Sequence, residues 1–176
     1  MKKLLIVVDM QKDFVDGALG TAEAVGILDN VVRKIEEFDG DMIVTLDTHQ
    51  ENYMDTQEGR KLPVKHCIKG TSGWELDAKV QRALENRPHK VLEKPTFGSV
   101  ALPEYIRETY DPEKLDIQLI GLCTDICVVS NALLLKANFT QTPVSVDASC
   151  CAGVTPETHK AALTTMKMCQ VDVLGE

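Results

Sequence analysis

Apolar positions along this chain fall into two kinds of run that take turns. Leu4-Leu5-Ile6-Val7-Val8 is short and unbroken, the pattern of a strand covered on both faces. Over 22–38 the spacing changes. Val25, Leu28, Val32 and Ile35 recur at steps of three and four, which predicts one helix with an apolar stripe, stopped by Asp39-Gly40-Asp41. Further strands are predicted at 42–46, 90–93, 115–120, 143–146 and 171–174. Further helices are predicted at 74–84, 103–110 and 124–138, and from Pro156 to about 169 behind a Thr155 cap. Unbroken strands alternating with helices predict an α/β fold with a parallel sheet and helices on both faces. Such sheets bind ligands beyond the carboxyl ends of their strands, where strand order reverses.

The residues that follow each strand therefore carry the chemistry. Asp9 follows the first, Asp47-Thr48-His49 the second, Lys94-Pro95 the third and Gly121-Leu122-Cys123-Thr124-Asp125-Ile126-Cys127 the fourth. Singly, an acid at a strand end is a turn residue and a cysteine in an apolar run is core. Delivered together to one rim, they suggest a site. Thr124 reads as the N-cap of the following helix, which puts Cys127 at its third position. There, free N–H groups and the helix dipole favour the thiolate and hold an oxyanion. The histidines are His49, His66, His89 and His159. His89 precedes the third strand and His159 lies in the last helix, so both read as surface or capping residues. Asp9 and Lys94 are better placed to serve Cys127.

Composition narrows the class. The chain has 176 residues, 44% of them hydrophobic, enough for one domain over 1–176 with its own core. Net charge is −8 and the pI about 5.0, which argues against nucleic acid or an anionic membrane as partner. Met1-Lys2-Lys3 resembles a signal n-region, but the apolar run behind it ends at Asp9, too short for export, so a cytoplasmic protein is expected. The six cysteines form no C-x-x-C pair and read as thiols in a reducing compartment.

Three segments together resemble the isochorismatase-like cysteine hydrolases, in their nicotinamidase-like branch. They are Val8-Asp9-Met10-Gln11-Lys12-Asp13-Phe14, the lysine at 94, and the G-x-x-T-x-x-C-V run from Gly121 to Val128. The resemblance covers nearly the whole chain. It implies a three-layer α/β/α sandwich around a six-stranded parallel sheet, and an Asp9-Lys94-Cys127 catalytic triad. It also implies a cis peptide at Leu122–Cys123, with the N–H groups of Cys123 and Cys127 as oxyanion hole. The stretch Pro63-Val64-Lys65-His66-Cys67-Ile68-Lys69-Gly70-Thr71-Ser72-Gly73 looks like the family's P-x-H-C segment. That makes Asp47, His49 and His66 ligands of one divalent ion: zinc, with iron or manganese as alternatives. Glu58 is a further candidate ligand, one residue out of its expected offset. Phe14, Leu62 and Phe97 would contact substrate, although Leu62 stands where relatives often carry tryptophan and Val100 where they carry an aromatic. The implied activity is hydrolysis of nicotinamide or a close small amide. The competing readings are a hydrolase of another small amide, carbamoyl compound or enol ether, and a non-catalytic binding protein. Family members commonly form homo-oligomers.

Overall fold

A computed structural model describes all of residues 1–176. The strands are β1 Lys2–Val8, β2 Asp41–Asp47, β3 Lys90–Lys94, β4 Leu115–Leu122, β5 Val144–Ala152 and β6 Asp172–Leu174. All pair in parallel, in the order β3-β2-β1-β4-β5-β6. The helices are α1 Lys12–Val15, α2 Ala22–Gly26, α3 Leu28–Glu37, α4 Gln57–Lys61, α5 Ala78–Leu84, α6 Ala101–Thr109, α7 Val129–Asn138 and α8 Pro156–Met168.

The central strand shows why the sheet must be covered twice. Leu4, Ile6 and Val8 pack with Leu102 and Ile106 of α6, Ala132 and Leu135 of α7, and Leu163 and Met166 of α8. Leu5 and Val7 point the other way, against Val31 and Ile35 of α3 and Val80 and Leu84 of α5. All five β1 side chains are fully buried, each contributing about 1.5–3 kcal/mol by leaving water. The result is a three-layer α/β/α sandwich. The chain builds outward from β1 to β3 on one side, then returns to lay β4 against β1 on the other. Strand order thus reverses between β1 and β4, and that crevice is where a ligand site belongs.

Local departures from the sequence pattern have physical causes. Residues 22–38 form two helices, α2 and α3, parted at Ile27 after Gly26. The stripe restarts at Leu28 and runs through Val31 and Ile35, while Val25 is left exposed. The helix expected from Trp74 begins at Ala78, because the Asp77 carboxylate caps the N–H groups of Lys79 and Val80. β5 extends to Ala152, where polar Asp147 and Ser149 interrupt the apolar signal.

Candidate active site

The switch point gathers an acid, a base and a thiol. Asp9 leaves β1 with φ +48°, a left-handed conformation unusual for a residue other than glycine. Beside it β4 comes very close: a Cβ on Gly121 would lie 2.1 Å from Val8 O, and Gly121 has φ +119°. Lys94, 1% exposed, places its ammonium 2.6 Å from Asp9 Oδ2, 3.4 Å from Cys127 Sγ and 3.7 Å from Asp47 Oδ1. It also donates to Thr96 O at 2.9 Å. Thr45, inside β2, donates its hydroxyl to Asp9 Oδ1 at 2.6 Å. The structure therefore brings Asp9, Lys94 and Cys127 together, all buried.

Their protonation follows from burial and charge. Burial is the strongest influence on Asp9 and raises its pKa; Lys94 and Thr45 oppose it without cancelling it. Burial pushes Lys94 toward losing its proton, but Asp9, Cys127 and Asp47 outweigh that and hold it charged. The Cys127 thiol is driven well above its ordinary range, first by burial and then by Asp9. That influence opposes the thiolate which the helix N-terminus alone predicts. Burial thus favours the protonated sulfur, beside a carboxylate able to take its proton.

The turn carrying Cys127 also differs from expectation. Thr124–Val128 is a π-type turn with Cys123 at its N-cap, and no side chain caps it. Thr124 is not the cap, because its hydroxyl is engaged with His159 Nδ1 at 2.7 Å. His159 is thus tied to the Cys127 turn rather than being a free surface residue. His89 is exposed, with Nδ1 donating to Arg87 O. The Leu122–Cys123 peptide is cis.

A second cluster adjoins the first. Asp47 Oδ2 lies 3.0 Å from His49 Nε2 and 3.4 Å from His66 Nε2. All three residues are buried, and their ligand-type atoms lie within 4.8 Å of one another. Glu58 Oε1, from α4, is 3.6 Å from His49 Nε2 and 3.8 Å from His66 Nε2, so its unusual sequence offset still delivers it here. Donor atoms held about 2.0–2.1 Å from a tetrahedral zinc would stand roughly 3.3 Å apart, close to these separations. His66 Nδ1 donates to Val64 O at 2.8 Å, which turns Nε2 toward the cluster. Burial would raise the pKa of Asp47, but hydrogen bonds from His49 and His66 and the charge of Lys94 hold it far below the usual range. An ionised carboxylate and two oriented imidazoles are the donor set a divalent ion requires.

Several supporting residues escaped the sequence reading. Gln11 Oε1 accepts from Asp47 N and its Nε2 donates to Asp47 O, pinning the end of β2 to the turn after β1. Asp13 Oδ2 accepts from Cys67 N and so holds the His66 segment. Tyr53 is fully buried, with its ring 4.7 Å from that of His49 and 5.0 Å from that of His66. Its hydroxyl donates to Leu62 O. Of the three residues assigned to substrate, Phe14 is buried with its ring 5.5 Å from that of His66. Leu62 and Phe97 are partly exposed, at 38% and 47%, and each is tied to the site through its backbone carbonyl.

Fold and site define a doubly wound α/β protein with its chemistry at the strand-order switch. The family model for the isochorismatase domain matches residues 3–175, and the chain belongs to the isochorismatase family. A Bacillus subtilis (strain 168) relative, an uncharacterized isochorismatase family protein called PncA, is 32% identical over 143 residues, covering 76% of this chain and 78% of its own. The crystal structure of nicotinamidase/pyrazinamidase PncA from Bacillus subtilis superposes with TM-score 0.84 at 26% identity, covering 99% of this chain and 100% of that one. Pyrazinamidase of Pyrococcus horikoshii, solved in complex with zinc, gives TM-score 0.79 at 25% identity, with 100% of both chains covered.

Proposed function

We propose that this protein hydrolyses nicotinamide, or a close small amide, to the acid and ammonia through a thioester on Cys127. The observation that carries the reading is the contact of Lys94 with both Asp9 and Cys127 in a buried site that adjoins Asp47, His49 and His66. Cys127 Sγ attacks the amide carbon while its proton passes to Asp9. The tetrahedral oxygen is assigned to the N–H groups of Cys123 and Cys127. Asp9 then protonates the departing nitrogen, which leaves as ammonia. Water attacks the thioester carbon, Asp9 takes a proton from it, and the acid leaves as the thiol is restored. Lys94 remains charged throughout and offsets negative charge as it moves between Asp9 and sulfur.

Asp47, His49 and His66, joined by Glu58, would hold one divalent ion, for which zinc is the first choice. When bound, that ion supplies a Lewis-acid anchor for a ring nitrogen of the substrate. Phe14, beside His66, is placed to contact a flat ring. The exposed, non-aromatic Leu62 favours a wall less snug than an aromatic one, so a small amide other than nicotinamide is the second reading.

The test is ammonia release from nicotinamide, pyrazinamide and a set of aliphatic amides, alongside metal analysis of the purified protein. Turnover of the two ring amides by protein carrying about one divalent ion is expected. Turnover confined to aliphatic amides would overturn the substrate assignment.

A further inference from the structure

Asn131 lies one helical turn beyond Cys127, on α7, and is fully buried. Its Nδ2 donates to Cys127 O at 2.8 Å and to Phe97 O at 3.2 Å, and its Oδ1 accepts from Ser99 N at 2.8 Å. The orientation of the amide is fixed by its partners, because exchanging O and N would set an N–H against an N–H and oxygen against two carbonyls. A serine or threonine here could bond back to the carbonyl of Cys127, as hydroxyls do along helices. Only an amide also reaches across to a second segment with a donor and an acceptor.

That second segment, 95–99, joins β3 to α6 and has no ladder of its own. It nevertheless supplies Thr96 O to the Lys94 ammonium. Ser99 at its end is buried and its hydroxyl has no partner; its carbonyl accepts from Leu102 N in the next helix, and its N–H bond to Asn131 is the contact that ties it to α7. Lys94 is therefore held from two sides: by Asp9, and by a loop that Asn131 fastens to the carbonyl of Cys127 itself.

We propose that Asn131 is a positioning residue, which locks the 95–99 segment to the Cys127 turn and thereby sets the approach of Lys94 to the sulfur. This rests on the reading of Cys127 as the nucleophile. Small misplacements of reacting groups are costly, so the effect belongs in the chemical step rather than in substrate binding.

The experiment compares Asn131→Asp and Asn131→Ala with the wild-type enzyme. It measures kcat and KM for the best amide, the rate of Cys127 alkylation by iodoacetamide at fixed pH, and exchange of the Ser99 amide. Asn131→Asp keeps the shape and the acceptor for Ser99 N but loses both donors; Asn131→Ala loses all three bonds. Both are expected to lose kcat by about 10-fold or more with KM nearly unchanged, and to slow Cys127 alkylation, with Asn131→Asp the slower. Slow exchange of the Ser99 amide in the wild type is expected and needs no variant. Alkylation and kcat at wild-type levels in a folded variant, or rapid Ser99 exchange in the wild type, would overturn the proposal. Alkylation needs no amide substrate. Slowed alkylation in a protein that turns over no amide upholds Asn131 and removes the amidase reading. Normal alkylation with full turnover does the reverse.

Discussion

Thr45 donates its hydroxyl to Asp9 Oδ1 at 2.6 Å while Lys94 takes the other carboxylate oxygen, so the proposed base is fully buried and held from both sides. Burial raises the Asp9 pKa, and the two contacts limit how far. Asp9 must be ionised to accept the thiol proton, so kcat/KM falls on the acid side, with a midpoint above the ordinary aspartate value of about 3.9. Thr45→Val removes a bond that favours the charged form. The acid limb is therefore expected to move to higher pH, while the alkaline limb stays. A pH–rate profile of the two proteins checks this; an unmoved or downward-shifted limb would contradict it.

Lys94 and Asp9 form a buried ion pair, and breaking such a pair from one side costs about 3–5 kcal/mol because it strands the other charge. Lys94→Met is expected to destabilise by that order and to abolish turnover. Asp9→Asn keeps the shape, removes the base and is expected to lose roughly 10²–10⁴ in rate. The double variant is expected to be less destabilised than the sum of the two single changes, since neither charge is left alone. Urea unfolding of all four proteins measures the coupling. Simple additivity would mean that the pair is not energetically joined.

What the sequence shows of this architecture is what repeats. The unbroken run at 4–8 and its fellows announce a parallel sheet, because β1 buries both faces, and the residues just past each strand then fall on one rim. Asp9, Lys94, Cys127, Asp47 and His49 are legible for that reason; His66 follows no strand and is legible only through the family-like segment around it. Tyr53, Gln11, Thr45 and Asn131 are not. Each acts across a sequence separation that no local pattern encodes, as in Gln11 clamping Asp47 or Asn131 spanning Phe97 and Cys127. The π-type turn is hidden for a similar reason: Thr124 looks like a cap until α8 brings His159 to its hydroxyl. The burial that opposes a Cys127 thiolate is hidden too, because the helix terminus is a local feature and the burial is not.

The proposed metal ligands make their own prediction. His49→Ala and His66→Ala are each expected to abolish bound metal, measured by elemental analysis after gel filtration. Tyr53→Phe keeps the ring against the two imidazoles and gives up only the bond to Leu62 O, so it should retain the metal and lose about 1 kcal/mol. Stripping the wild type with chelator should lower its melting temperature, and zinc should restore it, since a ligand at 100 times its Kd adds about 2.7 kcal/mol. Full metal content in His66→Ala would remove His66 from the ligand set.

Far from this site, Asp147 offers a test of how burial and pairing set stability against pH. Its Oδ2 is 2.7 Å from Lys34 Nζ, and its Oδ1 accepts from Ser149 Oγ at 2.6 Å and Ser149 N at 3.2 Å. Burial alone would raise its pKa, but Lys34 and Ser149 outweigh it and the value lies below the ordinary one. A carboxylate depressed on folding stabilises the native state above its unfolded pKa of about 3.9, and that contribution is lost as pH falls toward the folded value. Asp147→Asn is therefore expected to cost about 1.5–3 kcal/mol at pH 7, the usual worth of hydrogen bonds to a charged group. The gap to the wild type should hold down to about pH 5 and narrow through pH 4 and 3 as the native carboxylate is protonated. Lys34→Met, which removes the strongest opposing contact, should show the same narrowing with a smaller gap. Urea midpoints at pH 7, 5, 4 and 3 decide the matter. A gap independent of pH would mean that Asp147 contributes through its shape and not through its charge.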